Sequence, residues 1–547
     1  MTRLHQGSRR SAGRATLLCV SFICGSIACS SNSAPPPGAP VTPTMGSAVG
    51  AAGGAAPGVV TGAAGSGITN PTTPATPNGP TATAGGGAPT TPGPDQEPGI
   101  PTTPTTPTTP TMPTTPTTPT MPTTPTTPGA SEWTSMGFDA SNSYNNIYET
   151  KLTKENAANL AVAYTVDMGG NVYGAPLMIG ETIYASGSAI RALEAATGKE
   201  IWRAMVGTTG SMAYADGTLY LNGSGGKLVA LNAMDGKQLW AVDSDAMQAG
   251  DGTSSPAVVG EVVVVGGSSG GAELGGGTFR GYIAGHDRKT GKLLWTTYTV
   301  PAGAKGASVW SSPSGDATVS TAYVGTGNNY GAPATDTSDS FIALDLMTGT
   351  VKWKAQRVMS DTFGGIGGSG PDADFGANPV LYETLVGGAM TKLISAGNKG
   401  GSAHAVKRED GMLVWTRMLC PGTADGSKGV FTNSTWSGKN MIFACNEGGP
   451  STLYGLDGAT GDIAWMRKLD ALVWGRISVA NGVGFVGNGT KLEAFDVATG
   501  ALIKSWPSKG GTIASTFSIA NGRVAFGEGL SWSSGVAGRT LTVLALP

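Results

Sequence analysis

The chain has 547 residues, with 34 Lys and Arg against 36 Asp and Glu, and only 13% of its residues are charged. A near-neutral chain without a basic stripe excludes nucleic-acid binding by phosphate neutralisation. Gly takes 87 positions, and so much turn chemistry with so few charges points to an all-β protein of many short strands.

Residues 1–29 read as an export signal. Arg3, Arg9, Arg10 and Arg14 form a basic start, and the apolar stretch 15–27 is too short to span a bilayer as a helix. Ser26-Ile27-Ala28-Cys29 then resembles a bacterial lipoprotein cleavage box, with Ser26 where Leu is usual. The expectation is lipidation of Cys29 and display at the bacterial outer membrane or cell surface. The alternative is an ordinary secretory signal cut nearby and a periplasmic protein. Arg9-Arg10 also suits a twin-arginine signal, although the residues after it fit that pattern poorly.

Residues 30–130 are almost entirely Pro, Thr, Gly, Ala and Ser, ending in PTTPTTPTTPTMPTTPTTPTMPTTPTTPG. Such a segment has little to bury against the entropy of ordering, so a disordered linker is expected. Pro-Thr repeats favour extended polyproline II, and at about 3.1 Å per residue the stalk reaches on the order of 300 Å.

From residue 131 to 547 a phrase ending in Trp recurs seven times. It reads LEAATGKEIW (Trp202), LNAMDGKQLW (Trp240), HDRKTGKLLW (Trp295), LDLMTGTVKW (Trp353), VKREDGMLVW (Trp415), LDGATGDIAW (Trp465) and FDVATGALIKSW (Trp506). A β-forming start, an Asx or Thr-Gly turn and a second strand make each phrase a hairpin. Successive Trp residues stand 38, 55, 58, 62, 50 and 41 residues apart, against roughly 40–50 for a four-stranded propeller blade before loop insertions. One repeat cannot bury its own apolar face, so the copies must pack radially, with the seven Trp side chains buried between blades.

Beyond Trp506 the tail predicts strands at 515–519, 523–526 and 541–546, the first two joined at Asn521-Gly522, a strong hairpin-turn pair. They form an eighth blade, closed by a strand from residues 160–166, which removes the free sheet edge. Of the five Cys, only Cys420 and Cys445 lie in this head, and an oxidising compartment would let them pair. There is no C-x-x-C-H for a covalent haem. The three His are His5, His286 and His404, too few for a His-rich zinc site or a His triad, and His286 falls in a repeat turn where a solvated side chain is expected.

The phrase matches the tryptophan-docking motif of the pyrroloquinoline quinone (PQQ)-dependent quinoprotein alcohol dehydrogenases, and the likeness covers the head from Trp133 onward. The resemblance implies an all-β, eight-bladed β-propeller with PQQ and Ca²⁺ on its axis. In GGAELGGGTFRGYIAGHD, Glu273 is similar to the family's Ca²⁺-binding Glu. In GTGNNYGAP, Asn328 is similar to its Ca²⁺-ligating Asn, with Asn329 as the neighbouring alternative. A carboxylate with a carboxamide oxygen is suitable chemistry for a hard cation. Trp310, in ASVWSSP, stands where the family has the Trp under the quinone. Asp374, in GPDADFGANPVL beside Asp372, falls on the family's catalytic base. Lys399, in AGNKGGSAHAV, takes the place of the cation facing the quinone oxygens, and Thr253 could add a cofactor hydrogen bond.

Each residue also has a plainer reading: loop acid, turn Asn, core Trp, Asx turn, surface Lys. Two departures from the family are visible. No adjacent Cys pair is present, and Tyr173 precedes Gly174 where many relatives carry an acid. The implied activity is oxidation of alcohols, polymeric secondary ones included, with electrons passed to a separate carrier such as a cytochrome c. The membrane would be touched only through the lipid. The alternative function is a non-catalytic propeller serving as a cell-envelope scaffold.

Overall fold

A computed structural model describes residues 131–208, 210–223, 226–244, 254–268, 278–364, 368–422, 428–531 and 535–547. Eight sheets follow one another along the chain, antiparallel except where Asn145–Asn146 adds in parallel to the inner strand of the seventh. Blades 1 to 7 span 177–204, 213–243, 257–298, 314–356, 380–418, 434–468 and 478–507. Blade 8 is built from both ends of the head: Ser518–Ala520, Arg523–Gly527 and Thr540–Ala545 supply three strands, and Ala161–Asp167 pairs with the last of them as the outer strand. The closing strand and the eighth blade stand where the sequence puts them. The first tail strand is shorter than expected, because the Ser515 hydroxyl bonds the backbone of Gly527 and residues 515–517 leave the ladder. Asn521 and Gly522 adopt φ of 54° and 75°, the two left-handed positions of a type I′ hairpin.

The Trp phrases hold neighbouring blades together. Each indole N–H donates to a carbonyl of the next blade's turn: Trp202 to Ala233, Trp240 to Lys289, Trp295 to Leu346, Trp353 to Arg408, Trp415 to Gly458 and Trp465 to Val497, at 2.9 to 3.1 Å. The turn Gly under each ring is obligatory. Gly236, Gly291, Gly349, Gly411, Gly461 and Gly500 have φ of 69° to 74°, and an added Cβ would lie 2.4 to 2.7 Å from a ring carbon. Trp506 reaches across the closure to the Leu160 carbonyl.

The eighth docking residue is Tyr164, which sequence reasoning missed. Its ring covers Gly198, and its hydroxyl donates to Ala195 O at 2.8 Å. Burial of the Trp ring is less complete than expected. Trp295, Trp415, Trp465 and Trp506 are buried, but Trp202, Trp240 and Trp353 are only half-buried. Trp353 borders an open groove of about 550 Å³ between blades 4 and 5. His286 also departs from expectation. It is fully buried, because it occupies an inward position of strand Tyr282–Asp287, and its Nδ1 bonds the Gly291 carbonyl at 3.0 Å.

Around the axis the inner strands are stitched in sequence. The backbone N–H of Ala175 donates to Ser211 Oγ, that of Ser211 to Ser255 Oγ, that of Ser255 to Ser312 Oγ and that of Ser312 to Asn378 Oδ1, at 2.8 to 2.9 Å. The segment leading into blade 8 lies against these inner strands. Backbone carbonyls of Thr134, Ala140, Ser141, Ser143 and Tyr144 accept from blades 2, 4, 5, 6 and 7, while Trp133 bridges Met178 of blade 1. Met136 accepts from Ser312 Oγ and Asn378 Nδ2. Among the described residues no helix is long and apolar enough to cross a membrane.

Candidate functional site

Strand direction alternates within a blade, so the connections between blades and the loops joining second to third strands emerge on one face. Four sequence-selected residues stand on such loops. Trp310 is on the connection from blade 3 to blade 4, Asn328 follows strand Thr321–Gly325, Asp374 is on the connection from blade 4 to blade 5, and Lys399 follows strand Ala389–Gly397.

The fold brings them together. Lys399 Nζ lies 3.2 Å from Asp374 Oδ2 and 2.5 Å from Asp372 Oδ1. The other oxygen of Asp374 accepts the backbone N–H of Asn328 at 2.7 Å. Lys399 Nζ is also 5.9 Å from the centre of the Trp310 ring. Lys399 is therefore no surface lysine; it is 9% exposed, against 5% for Asp374 and 1% for Asn328. Two glycines make the approach feasible: a Cβ on Gly376 would overlap the Trp310 ring, and one on Gly327 would lie 2.5 Å from Asp374 Oδ1.

The choice between the two adjacent asparagines follows from their partners. Asn329 is consumed locally, its Oδ1 accepting from Thr335 N and Oγ1 and its Nδ2 donating to Lys305 O. Asn328 donates through Nδ2 to Phe363 O and Asn329 O, and its buried Oδ1 has no partner among the described residues. A buried, unpartnered carboxamide oxygen suits a ligand for a hard cation. Among the described residues no group of three or more His, Cys, Asp or Glu is arranged to hold a metal. Glu273 and Thr253 lie outside the described residues, as does Cys29.

Three carboxyls that sequence reasoning left without a role surround this point. Asp361 organises the blade 4 to 5 connection, accepting from Phe363 N and Ala373 N. Asp372 is held at φ 56°, the left-handed region that Asp tolerates better than most residues. Burial first, and then the neighbouring Asp374 charge, push its carboxyl up to about 7 despite Lys399 beside it. Asp339 is fully buried, and neither carboxyl oxygen has a hydrogen-bond partner among the described residues. Burial, reinforced by the charges of Asp374, Asp361 and Asp372, raises it well above the usual carboxylate range. His404 lies behind the Lys399 turn, with its rings nitrogens bonded to Thr416 Oγ1 and Asn398 Nδ2, and burial pulls it down to about 3. It stays neutral at physiological pH. Tyr173, the departure noted above, bonds Asn171 and Ser531 and packs beside Trp474 and Leu530.

Comparison with known proteins agrees with the propeller fold. A family model described as "Glucose/ethanol/alcohol dehydrogenase, beta-propeller domain" matches residues 244–435, and one described as "Outer membrane protein assembly factor BamB" matches residues 399–541. The chain is similar to the PQQ-dependent quinoprotein alcohol dehydrogenases, and its head is a propeller of that type. Among individual relatives, a polyvinylalcohol dehydrogenase of Sphingopyxis sp. (strain 113P3) is 30% identical over 425 residues, covering 65% of this chain and 64% of that one. A polyvinylalcohol dehydrogenase of Pseudomonas sp. is 30% identical over 50% of this chain and 49% of its own length. The quinohemoprotein alcohol dehydrogenase of Comamonas testosteroni is 26% identical over 53% of this chain and 47% of its own. The chain thus spans about half to just under two thirds of these relatives' length. The crystal structure of the Comamonas enzyme superposes with a TM-score of 0.64 at 18% identity, covering 76% of this chain and 80% of that one. A europium-containing methanol dehydrogenase gives 0.64 at 17%, covering 76% and 98%. At these identities the structural likeness is one of fold.

Proposed function

We propose that the head is an alcohol dehydrogenase that binds PQQ with Ca²⁺ on the propeller axis and passes electrons to an external acceptor. One observation carries the reading: Trp310, Asn328, Asp374 and Lys399, from four separate loops, meet at one point. Trp310 would lie under the planar cofactor, with Thr253 and Lys399 at its edge. Asn328 Oδ1, together with Glu273, would hold the cation. When bound, PQQ supplies the acceptor for two electrons and Ca²⁺ the Lewis acid that polarises it. Asp374 receives the hydroxyl proton of the alcohol as general base. Lys399 puts a fixed positive charge where negative charge develops. The product is a ketone or aldehyde. The sequence has no C-x-x-C-H, so a separate carrier such as a cytochrome c would take the electrons. The names of the two polyvinylalcohol dehydrogenases favour a polymer with secondary hydroxyls as substrate.

The test is reconstitution of the purified protein with PQQ and Ca²⁺, followed by dye-linked oxidation of low-molecular-weight and polymeric alcohols. The expected result is Ca²⁺-dependent dye reduction, with Asn328→Ala and Glu273→Gln both raising the Ca²⁺ requirement while the far-ultraviolet dichroism stays unchanged. Absence of both PQQ binding and dye reduction would leave the scaffold function, to which the second family match, lacking Trp310, Asn328 and Asp374, gives its support.

A lipid on Cys29 would place this enzyme at the cell surface, where a polymer too large to enter can reach it. The basic start, the box at Cys29 and the Pro-Thr run favour that location. Mass spectrometry of the mature protein should find a diacylglyceryl mass on an N-terminal Cys29; an unlipidated, soluble N-terminus would end the anchor reading.

A further inference from the structure

The Lys399 turn is gripped from behind by the connection that leads from blade 5 to blade 6. Within the turn, Gly401 N donates to Asn398 O at 3.0 Å, and Lys399 N reaches the Asp374 carbonyl at 2.9 Å. From the connection, Leu419 N and Cys420 N both donate to Gly401 O, and Val430 N donates to Asn398 O at 2.9 Å. The contact is too close for side chains. A Cβ on Gly401 would lie 1.8 Å from the Cys420 carbonyl, and one on Gly422 or on Gly429 would lie 2.1 Å from the carbonyl of Lys399. The peptide carrying Lys399 is therefore sandwiched between the two ends of this connection.

The connection is itself fastened. Cys420 forms a disulfide with Cys445, which is fully buried in strand Asn440–Glu447 of blade 6. We propose that this disulfide positions Lys399: by tying the connection to blade 6 it clamps the Lys399 turn, so that the ammonium stays between Asp372 and Asp374 and over Trp310. Hydrogen bonds already tie the connection to blade 6, Lys428–Gly429 pairing with Asn440–Glu447 and the Tyr454 hydroxyl donating to Leu419 O at 3.0 Å, and the disulfide adds a covalent tie at the Cys420 end. With it, any displacement of the turn has to move a central strand of the next blade. A crosslink acts in this way by removing alternative conformations of the segment it closes, and a long, flexible lysine needs a fixed backbone to present its charge at one point. Cys420 and Cys445 are accordingly positioning residues. The clamp stands on these contacts alone; only its consequence for alcohol oxidation rests on the function proposed above.

The experiment measures acetylation of Lys399 in the full-length protein by pulse labelling with acetic anhydride and peptide mass spectrometry, without added cofactor. Three forms are compared with the untreated protein. The first is protein reduced by tris(2-carboxyethyl)phosphine, which supplies two electrons to give two thiols and becomes the phosphine oxide with oxygen from water. The second is the pair Cys420→Ala and Cys445→Val. The third is Gly401→Ala, which pushes the clamp off with the disulfide intact. Loss of one charge-assisted hydrogen bond should speed Lys399 labelling about tenfold in each, while Lys289 and Lys352 on other blades label at their original rates.

An unchanged Lys399 rate in reduced protein that keeps its dichroism overturns the proposal. If reduction and the Cys pair both unfold the head, an unchanged rate in folded Gly401→Ala overturns it equally. Uniform acceleration at all three lysines means a general loosening and also overturns it. Faster labelling at Lys399 in a protein that never reduces dye with PQQ and Ca²⁺ keeps the clamp and rejects the dehydrogenase.

Discussion

Asp374→Asn should lower turnover by about 10²–10⁴-fold, the range lost when a positioned general base is removed, while PQQ binding, followed by quenching of Trp fluorescence, changes little. The substitution keeps the size of the side chain and the oxygen that accepts the Asn328 N–H. It replaces the other oxygen, which faces Lys399 at 3.2 Å, with an NH₂ that has no free lone pair for a proton. Two donors then face each other, and Lys399 loses Asp374 while keeping Asp372. The comparison that gives the experiment its force is Asp372→Asn. Asp372 also bonds Lys399 and also lies in the cluster, but in the proposed function its part is to hold the ammonium, and Asp374 is the proposed base. Asp372→Asn should therefore cost less turnover than Asp374→Asn. The reverse order, with Asp374→Asn close to the unaltered protein, would transfer the base to Asp372. Equal, complete losses of both turnover and PQQ binding would show that the pair builds the pocket instead of moving the proton.

The architecture was legible because its cause is local and repeated. Every Trp phrase carries its own turn, its own Gly and its own docking ring, so seven copies announce seven blade interfaces. Tyr164 escaped notice for a physical reason. At the closure the turn that would precede the docking ring is replaced by the two ends of the head, Leu160 and the strand Thr540–Ala545, and the ring itself is a Tyr. Nothing around AVAYTV repeats the phrase. His286 misled in the opposite direction: HDRKTG has the turn chemistry, but the His side chain belongs to the strand before the turn and points inward.

The site was legible only through resemblance. Its contacts join residues far apart in the chain, such as Asn328 with Asp374 and Asp372 with Lys399. No spacing rule brings such loops together; the radial packing of blades 3, 4 and 5 does. That is also why the carboxyls of Asp339 and Asp361 did not stand out in the sequence. Their significance is a matter of burial beside other carboxyls, which a linear pattern cannot display. Asn328 and Asn329 likewise differ in their hydrogen bonds and not in their sequence pattern: Asn329 Oδ1 accepts from Thr335, whereas Asn328 Oδ1 has no partner among the described residues.

Trp415→Ala should destabilise the head by about 3–5 kcal/mol, the cost of truncating a buried Trp whose site cannot collapse. Trp415 is 5% exposed and packs in a cluster with Tyr382, Met441, Tyr454 and Leu456. Its N–H donates to Gly458 O at 3.0 Å, a carbonyl that also accepts from the Tyr382 hydroxyl. Its ring lies on Gly461, where the missing Cβ leaves no side chain able to fill the void. Trp415→Phe, which keeps most of the ring and loses the donor, should cost closer to the about 1 kcal/mol of a single hydrogen bond plus the lost contacts. Trp353→Ala should cost less than Trp415→Ala, because Trp353 is half-buried beside the open groove between blades 4 and 5. Denaturant unfolding followed by circular dichroism orders the three. A Trp415→Ala loss no larger than that of Trp353→Ala would mean that interface burial does not set blade cohesion. The effect should not stay local. In an open array a weakened interface lets one end fray, but here Ala161–Asp167 pairs with Thr540–Ala545 and Trp506 docks on Leu160. Opening the interface between blades 5 and 6 must therefore strain that closure as well, and unfolding should remain a single transition at a lower denaturant midpoint.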